Sequence, residues 1–173
     1  MSLARIDPVL GGIPIHFPSG ITISQTYQDI GGFTSHRMMN GAGIKQTHWT
    51  KIGTSISGQG FLPNGIDALD FGQPLVLKCG AALAIQSVSN VMTLPVNRRS
   101  DVAVTARAIL DTDFQSRTPV NVVGDIATVD VVAGAQGYLV FYYPQITVFA
   151  TPVQENIDLN NSTWDWSIEC EEI

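Results

Sequence analysis

Ser55 stands in Gly53-Thr54-Ser55-Ile56-Ser57-Gly58, close to the glycine–serine–glycine pattern that holds a serine nucleophile on a tight strand-to-helix turn. That turn needs glycine two places after the serine. Ser57 stands there instead, and no helical pattern follows. Gly58-Gln59-Gly60 likewise stops short of a dinucleotide fingerprint, and no Lys-Ser or Lys-Thr pair closes a phosphate-binding loop. Three histidines, His16, His36 and His48, lack the spacing of a metal site, which needs at least three ligands brought together. Asp67 with Asp70, and Asp111 with Asp113, could pair for acid–base work. Helix-end solvation explains the first pair better, and turn chemistry the second.

Cys79 and Cys170 match no metal or redox spacing. Both fall at apolar positions in strand-like runs, which favours buried thiols in a reducing compartment over a bridge. Asn160-Asn161-Ser162-Thr163 contains overlapping glycosylation acceptor patterns, but a turn into the last strand accounts for the same residues. Trp49, Trp164 and Trp166 could stack on sugars, although packing is the commoner fate of such rings. No catalytic, cofactor-binding or metal-binding residue is therefore expected.

The elements that carry these residues read as strands. Sixteen glycines and nine prolines break the chain at short intervals, and Val, Ile and Thr dominate the runs between them. Residues 1–20 read as an extended arm or loop, and 21–173 as one antiparallel β-sandwich or barrel. Ile21, Ile23 and Tyr27 alternate with polar residues, as in a half-buried strand. The clearest hairpin spans 36–58, turning at Asn40-Gly41. Its return arm carries Lys45, Gln46, His48, Trp49, Lys51 and Ile52, a mixture of charge and aromatic anchor suited to an assembly contact. Ile66 and Leu69 could share a single helical turn, the only helix expected.

Further strands are expected at Leu75–Cys79 and Ala82–Val88. Val102–Leu110 has an Ala and Arg content that permits a helix, but its β-branched residues favour a strand. Val120–Val123 and Ala127–Val132 flank Gly124-Asp125, and Gly137–Tyr143 and Ile146–Ala150 are separated by Pro144. Asn156–Thr163 reads as a polar loop. The last segment is the most regular: Trp164, Trp166, Ile168 and Cys170 alternate with Asp165, Ser167, Glu169 and Glu171. That places both tryptophans on the core or interface side of a closing strand.

Scarce charge suggests that part of the exterior is covered by neighbours, with a large core as the alternative. The 173 residues are 45% apolar and only 14% charged, against a usual charged share of about a quarter. Net charge is −6, and Arg98-Arg99 is the only adjacent basic pair. Gripping duplex DNA through its phosphates requires a basic stripe, so no specific nucleic-acid binding is expected. The N-terminus has neither the basic start nor the apolar core of a signal peptide, and the longest strongly apolar run, Tyr138–Tyr143, is far too short to span a bilayer. No membrane partner is expected.

Two stretches carry a recognisable pattern. One runs through Arg37-Met38-Met39-Asn40-Gly41, Ile44-Lys45-Gln46-Thr47, Trp49-Thr50-Lys51, Thr54–Gly58 and Pro63–Asp70. The other runs from Tyr142-Tyr143-Pro144-Gln145-Ile146 to Trp164–Glu169. Together, over about half the chain, they resemble structural proteins of tailed bacteriophages, in particular small contractile-tail baseplate proteins with a tail-tube-like β-barrel, such as the ripcord component. The resemblance implies scaffolding without catalysis. It also implies partners among tube, hub and baseplate subunits, a homo-oligomeric ring around a DNA conduit, and a place in the virion tail after assembly in the host cytoplasm. If the chain lines that conduit, Asp165, Glu169 and Glu171 are candidates for an acidic wall, with simple solubilising charge as the alternative reading of each. A head-decoration or fibre-like glycan- or host-binding module is the alternative. An enzyme such as a wall hydrolase, with carboxylates converging only in the fold, is the third class.

Overall fold

A computed structural model describes residues 5–15, 22–62, 65–111 and 114–173. Among these the chain is mainly β and contains no helix. In chain order the strands are β1 (Val9–Leu10), β2 (Ile13–Pro14), β3 (Ile23–Arg37), β4 (Gly43–Gly60), β5 (Leu75–Lys78), β6 (Leu83–Ser87), β7 (Val91–Thr93) and β8 (Thr105–Leu110). They continue with β9 (Gln115–Thr118), β10 (Val120–Val123), β11 (Ile126–Val129), β12 (Ala135–Tyr142), β13 (Gln145–Ala150), β14 (Gln154–Asp158) and β15 (Thr163–Glu172). The chain forms two compact units, Met1–Val9 with Leu77–Ile146, and Leu10–Val76 with Thr147–Ile173; the division falls within β1, β5 and β13.

The first unit contains a three-stranded sheet, β10-β11-β7, and a four-stranded sheet, β6-β12-β8-β9. Period-2 alternation turns Met92, Ala127 and Val129 of the smaller sheet and Ala106, Ala108, Tyr138 and Val140 of the larger one into one shared core, a sandwich arrangement. The adjacent arginines are structural. Arg98 donates to Asp125 Oδ1 and the Pro95 carbonyl, each at 2.7 Å, and to the Gly124 carbonyl at 2.6 Å, holding the β10–β11 turn. Arg99, only 7% exposed, forks onto both carboxylate oxygens of Asp101 at 3.0 Å and donates to the carbonyls of Asp7 and Cys79 at 3.0 and 2.9 Å. That fork holds the Asp101 carboxyl at about 2, well below the ordinary carboxylate value.

The second unit is organised by β15. On one edge it pairs with β4, from Trp164 opposite Gly60 to Glu171 opposite Gly53. On the other it pairs with β14 through Thr163–Ser167 and with β13 through Cys170–Glu172. Thr151 links the two, its amide donating to the Glu169 carbonyl at 2.8 Å. Beyond β4 lies β3, which ends the strand order β2-β1-β5-β13-β15-β4-β3. Trp166, Ile168 and Cys170 are buried, as the alternation required, whereas Trp164 is half-buried. Both cysteines are buried.

Several expectations are corrected. Among the described residues the sheets are open and no barrel closes. The expected helical turn is a hydrogen-bonded turn: the Leu69 amide reaches the Ile66 carbonyl at 3.0 Å, and Asp70 then accepts from the Gly72 amide at 2.9 Å, which starts a new turn. Where described, the expected arm over 1–20 is the β1–β2 pair around Gly11-Gly12, both at positive φ, with Leu10 and Ile15 fully buried; His16 lies outside the described residues. The loop expected at 156–163 is half strand, because β14 runs to Asp158. Strand β8 begins at Thr105, leaving Val102–Val104 outside it. The hairpin expected over 36–58 is longer: its outgoing arm is the whole of β3, from Ile23.

Candidate assembly surface

The β3–β4 hairpin turns where the sequence allows positive φ. Gly41 has φ 82°, Met38 and Ala42 close the loop with an N–H to carbonyl bond of 2.9 Å, and Asn40 Oδ1 accepts from the Ala42 amide at 3.1 Å. Arg37 Nη1 donates to the Gly41 carbonyl at 3.1 Å, tying the loop to the strand.

The two strands outrun their sheet. The last β4 residue paired with β15 is Gly53, and from Ile52 to Gly43 the only strand paired with β4 among the described residues is β3. At the departure point the Glu172 carboxylate accepts the Ile52 amide at 2.9 Å, and Lys51 Nζ donates to the Ile173 carbonyl at 2.7 Å. A side chain thus satisfies a ladder amide that the departing strand would leave open. Beyond it, a two-stranded ribbon of ten residues on the β4 side extends about 30 Å at the usual strand rise.

The ribbon buries almost nothing. Every residue from Phe33 to Thr50 is exposed. Its apolar side chains Phe33 (64% exposed), Met38, Met39, Ile44 and Trp49 (52%) have no core to enter. A bulge between Gly32 and Phe33 leaves His48 without a partner, since Trp49 faces Gly32 and Thr47 faces Phe33. The two glycines make the bulge possible. A Cβ on Gly31 would stand 2.5 Å from the Trp49 carbonyl oxygen, and one on Gly32 would stand 2.7 Å from the indole Nε1. Strand alternation then puts Trp49 and Lys51 on one side and Phe33, Lys45 and Thr47 on the other. Lys45 Nζ sits 4.7 Å above the Phe33 ring, a cation–π contact across the strands.

Of the residues expected to form an assembly hairpin, Lys45, Gln46, His48 and Trp49 lie on the ribbon, exposed; Lys51 and Ile52 are half-buried at its root. Trp164 and Trp166 belong to the sheet, Trp166 only 3% exposed with its indole stacked on Gly58. Phe33, Met38, Met39 and Ile44 join the surface without having been expected there. The signal for Phe33 was the preceding Gly31-Gly32 pair, which in a strand marks a bulge or a close backbone approach.

The residues weighed for other chemistry are dispersed. Ser55 sits in mid-strand between Thr26 and Glu169, not on a turn. Asp111 accepts from Gln136 Nε2 at 2.6 Å, and Asp113 lies outside the described residues. Asp158 accepts from the amides of Asn160 and Asn161 and from the Asn161 side chain, which together lower its pKa and set the β14–β15 turn, where Ser162 adopts φ 51°. Among the described residues no three of His, Cys, Asp and Glu come together as a metal site.

Compared with protein-family models, with curated proteins and with solved structures, the chain matches none.

Proposed function

We propose that this chain is a structural subunit of a bacteriophage tail or baseplate that joins tube, hub or baseplate subunits, including further copies of itself, through the β3–β4 ribbon. The observation that carries the reading is the ribbon's lack of burial. A two-stranded hairpin with neither face packed is marginal in water. Long open strand edges also invite pairing with other chains unless charge or a bulge blunts them. This ribbon has both devices, in Lys45, Lys51 and the Gly32/Phe33 bulge, yet it keeps exposed aromatic and methionine side chains of the kind that anchor interfaces.

The low charge of the chain, its open antiparallel sheets and the sequence resemblance to tail baseplate proteins support the same reading. The subunit's work would be mechanical. The sheet holds the ribbon root rigid through the Glu172 and Lys51 bonds, and the ribbon gains its missing burial on a neighbour. No step of chemistry is assigned to it. Replacing 31–50 by a short turn should leave a folded, cooperatively melting protein that is no longer incorporated into tail particles when it is the only copy supplied. Particles that assemble normally with the shortened chain would contradict the proposal.

A further inference from the structure

Charge is segregated along the second unit. Arg37, Lys45 and Lys51 lie on the ribbon, and no Asp or Glu occurs between Ile30 and Gly53. The stretch from Gln154 to Ile173 is the reverse, with Glu155, Asp158, Asp165, Glu169, Glu171 and Glu172 and no Lys or Arg. A chain of net charge −6 that gathers three of its nine Lys and Arg on one hairpin, free of carboxylates, has made that hairpin a local cation.

The acidic stretch also presents a shaped surface. Asp165, Glu169 and Glu171 are exposed on the side of β15 turned away from Trp166, Ile168 and Cys170. On that side the facing β4 residues are Gly53, Ser55, Ser57 and Gln59, none of them charged, with Gln28 and Ile30 of β3 lying over Gly53. Phe149, half exposed, stands directly opposite Glu171 on β13. The face is therefore acidic, with one aromatic ring. The ribbon is basic and narrow with Phe33 and Trp49.

Resting on the reading of the ribbon as an assembly element, we propose that its partner surface is this acidic face of β15 on a second copy of the chain, docked head to tail. Only the ribbon root meets the end of its own β15, through Lys51 and Ile52; beyond it β3 and β4 continue outward past that end, which carries Arg37 and Lys45 away from Asp165 and Glu169 of the same chain and leaves them for a second copy. Each copy offers two different patches, and such a heterologous contact repeats into a ring, or into an open helix if the rotation does not close. Opposite charge sets the approach and the register, while the aromatic side chains supply desolvated area.

Sedimentation velocity of the full chain, as a function of concentration and salt, tests the pairing. The wild type should self-associate in roughly 50 mM salt and dissociate as salt rises, because exposed charge pairs are screened. The ribbon variant Arg37→Glu with Lys45→Glu, and the face variant Glu169→Lys with Glu171→Lys, should each weaken association about tenfold or more. Mixed in equal amounts, the two variants should associate again, since the acidic ribbon of one meets the basic face of the other. All four positions are exposed, and the Gln versions of the same pairs serve where a reversal perturbs the melt. A wild type that stays monomeric, or a mixture that fails to recover association, overturns the inference. If the ribbon variant is also rejected from tail particles while the face variant is accepted, the ribbon docks elsewhere: this inference falls and the assembly reading stands. If particles accept both variants, both fall.

Discussion

Trp49 and Gly32 face each other across the β3–β4 ribbon, the indole lying over the glycine so closely that a Cβ would stand 2.7 Å from Nε1. The same relation recurs in the sheet, where Trp166 covers Gly58, its direct partner on β4, with Cζ2 2.6 Å from a Gly58 Cβ. One pair is buried and holds the fold. The other is exposed and available to a partner.

Substitution separates the two. Gly32→Val should displace the Trp49 indole, raising its accessibility to a soluble quencher, and change folding stability by only about 0.5 kcal/mol, as surface changes usually do. Gly31→Ala should cost more, because its Cβ meets the Trp49 backbone oxygen rather than a side chain. Tryptophan fluorescence and a denaturant titration check both.

Trp166→Ala should cost about 3–5 kcal/mol, the usual penalty for emptying a buried aromatic site. Trp164→Ala, two residues earlier but half-buried, should cost clearly less. Equal midpoints for the two variants in a denaturant titration would show that the indole over Gly58 is not core.

The regularity of β15 was legible because one face is buried and the other is not, so period 2 is written into Trp166, Ile168 and Cys170 against Asp165, Glu169 and Glu171. The Asn40-Gly41 turn was legible for its backbone chemistry. The length of the hairpin was not. Gly31-Gly32 looks like a break between strands, whereas here it admits a bulge under Trp49, and a bulge shifts the apolar phase that periodicity relies on. Strand β14 was missed for a different reason: four of its five residues are exposed, so no alternation marks it, and its pairing is imposed by β15. The residues of the candidate surface were partly visible through Trp49 and Lys45, but Phe33 needed the register to place it, with Gly31-Gly32 as its one sequence signal.

Asp101 gives a pH signature. With Arg99 forked onto it, its folded carboxyl sits at about 2 against an ordinary 3.8. The folded state therefore binds this proton more weakly than the unfolded chain does. Its contribution to stability is full above about pH 4 and is lost as pH falls through about 2. Asp101→Asn should flatten that part of the stability-against-pH curve. Arg99→Ala should cost roughly 2–3 kcal/mol, since the Asp7 and Cys79 carbonyls each lose the Arg99 hydrogen bond and Asp101 loses its fork.

Duplex DNA should bind weakly or not at all at physiological salt. Arg98 and Arg99, the only adjacent basic pair, are committed to Asp125, Asp101 and backbone carbonyls, and the other seven Lys and Arg are spread along the chain with no more than three on one hairpin, so they form no basic stripe. A mobility-shift titration showing binding at micromolar protein, weakening steeply with salt, would contradict this.

Hydrogen exchange of the amides of residues 31–50, compared between the isolated chain and assembled particles, tests the central claim most directly. Neither face of the ribbon is packed in the isolated chain, so its amides should exchange far faster than those of Trp164–Glu171 in the sheet. In the assembled state they should become protected while the sheet amides change little. Ribbon amides that exchange at the same rate in both states would contradict the claim that this hairpin gains its burial from a neighbouring subunit.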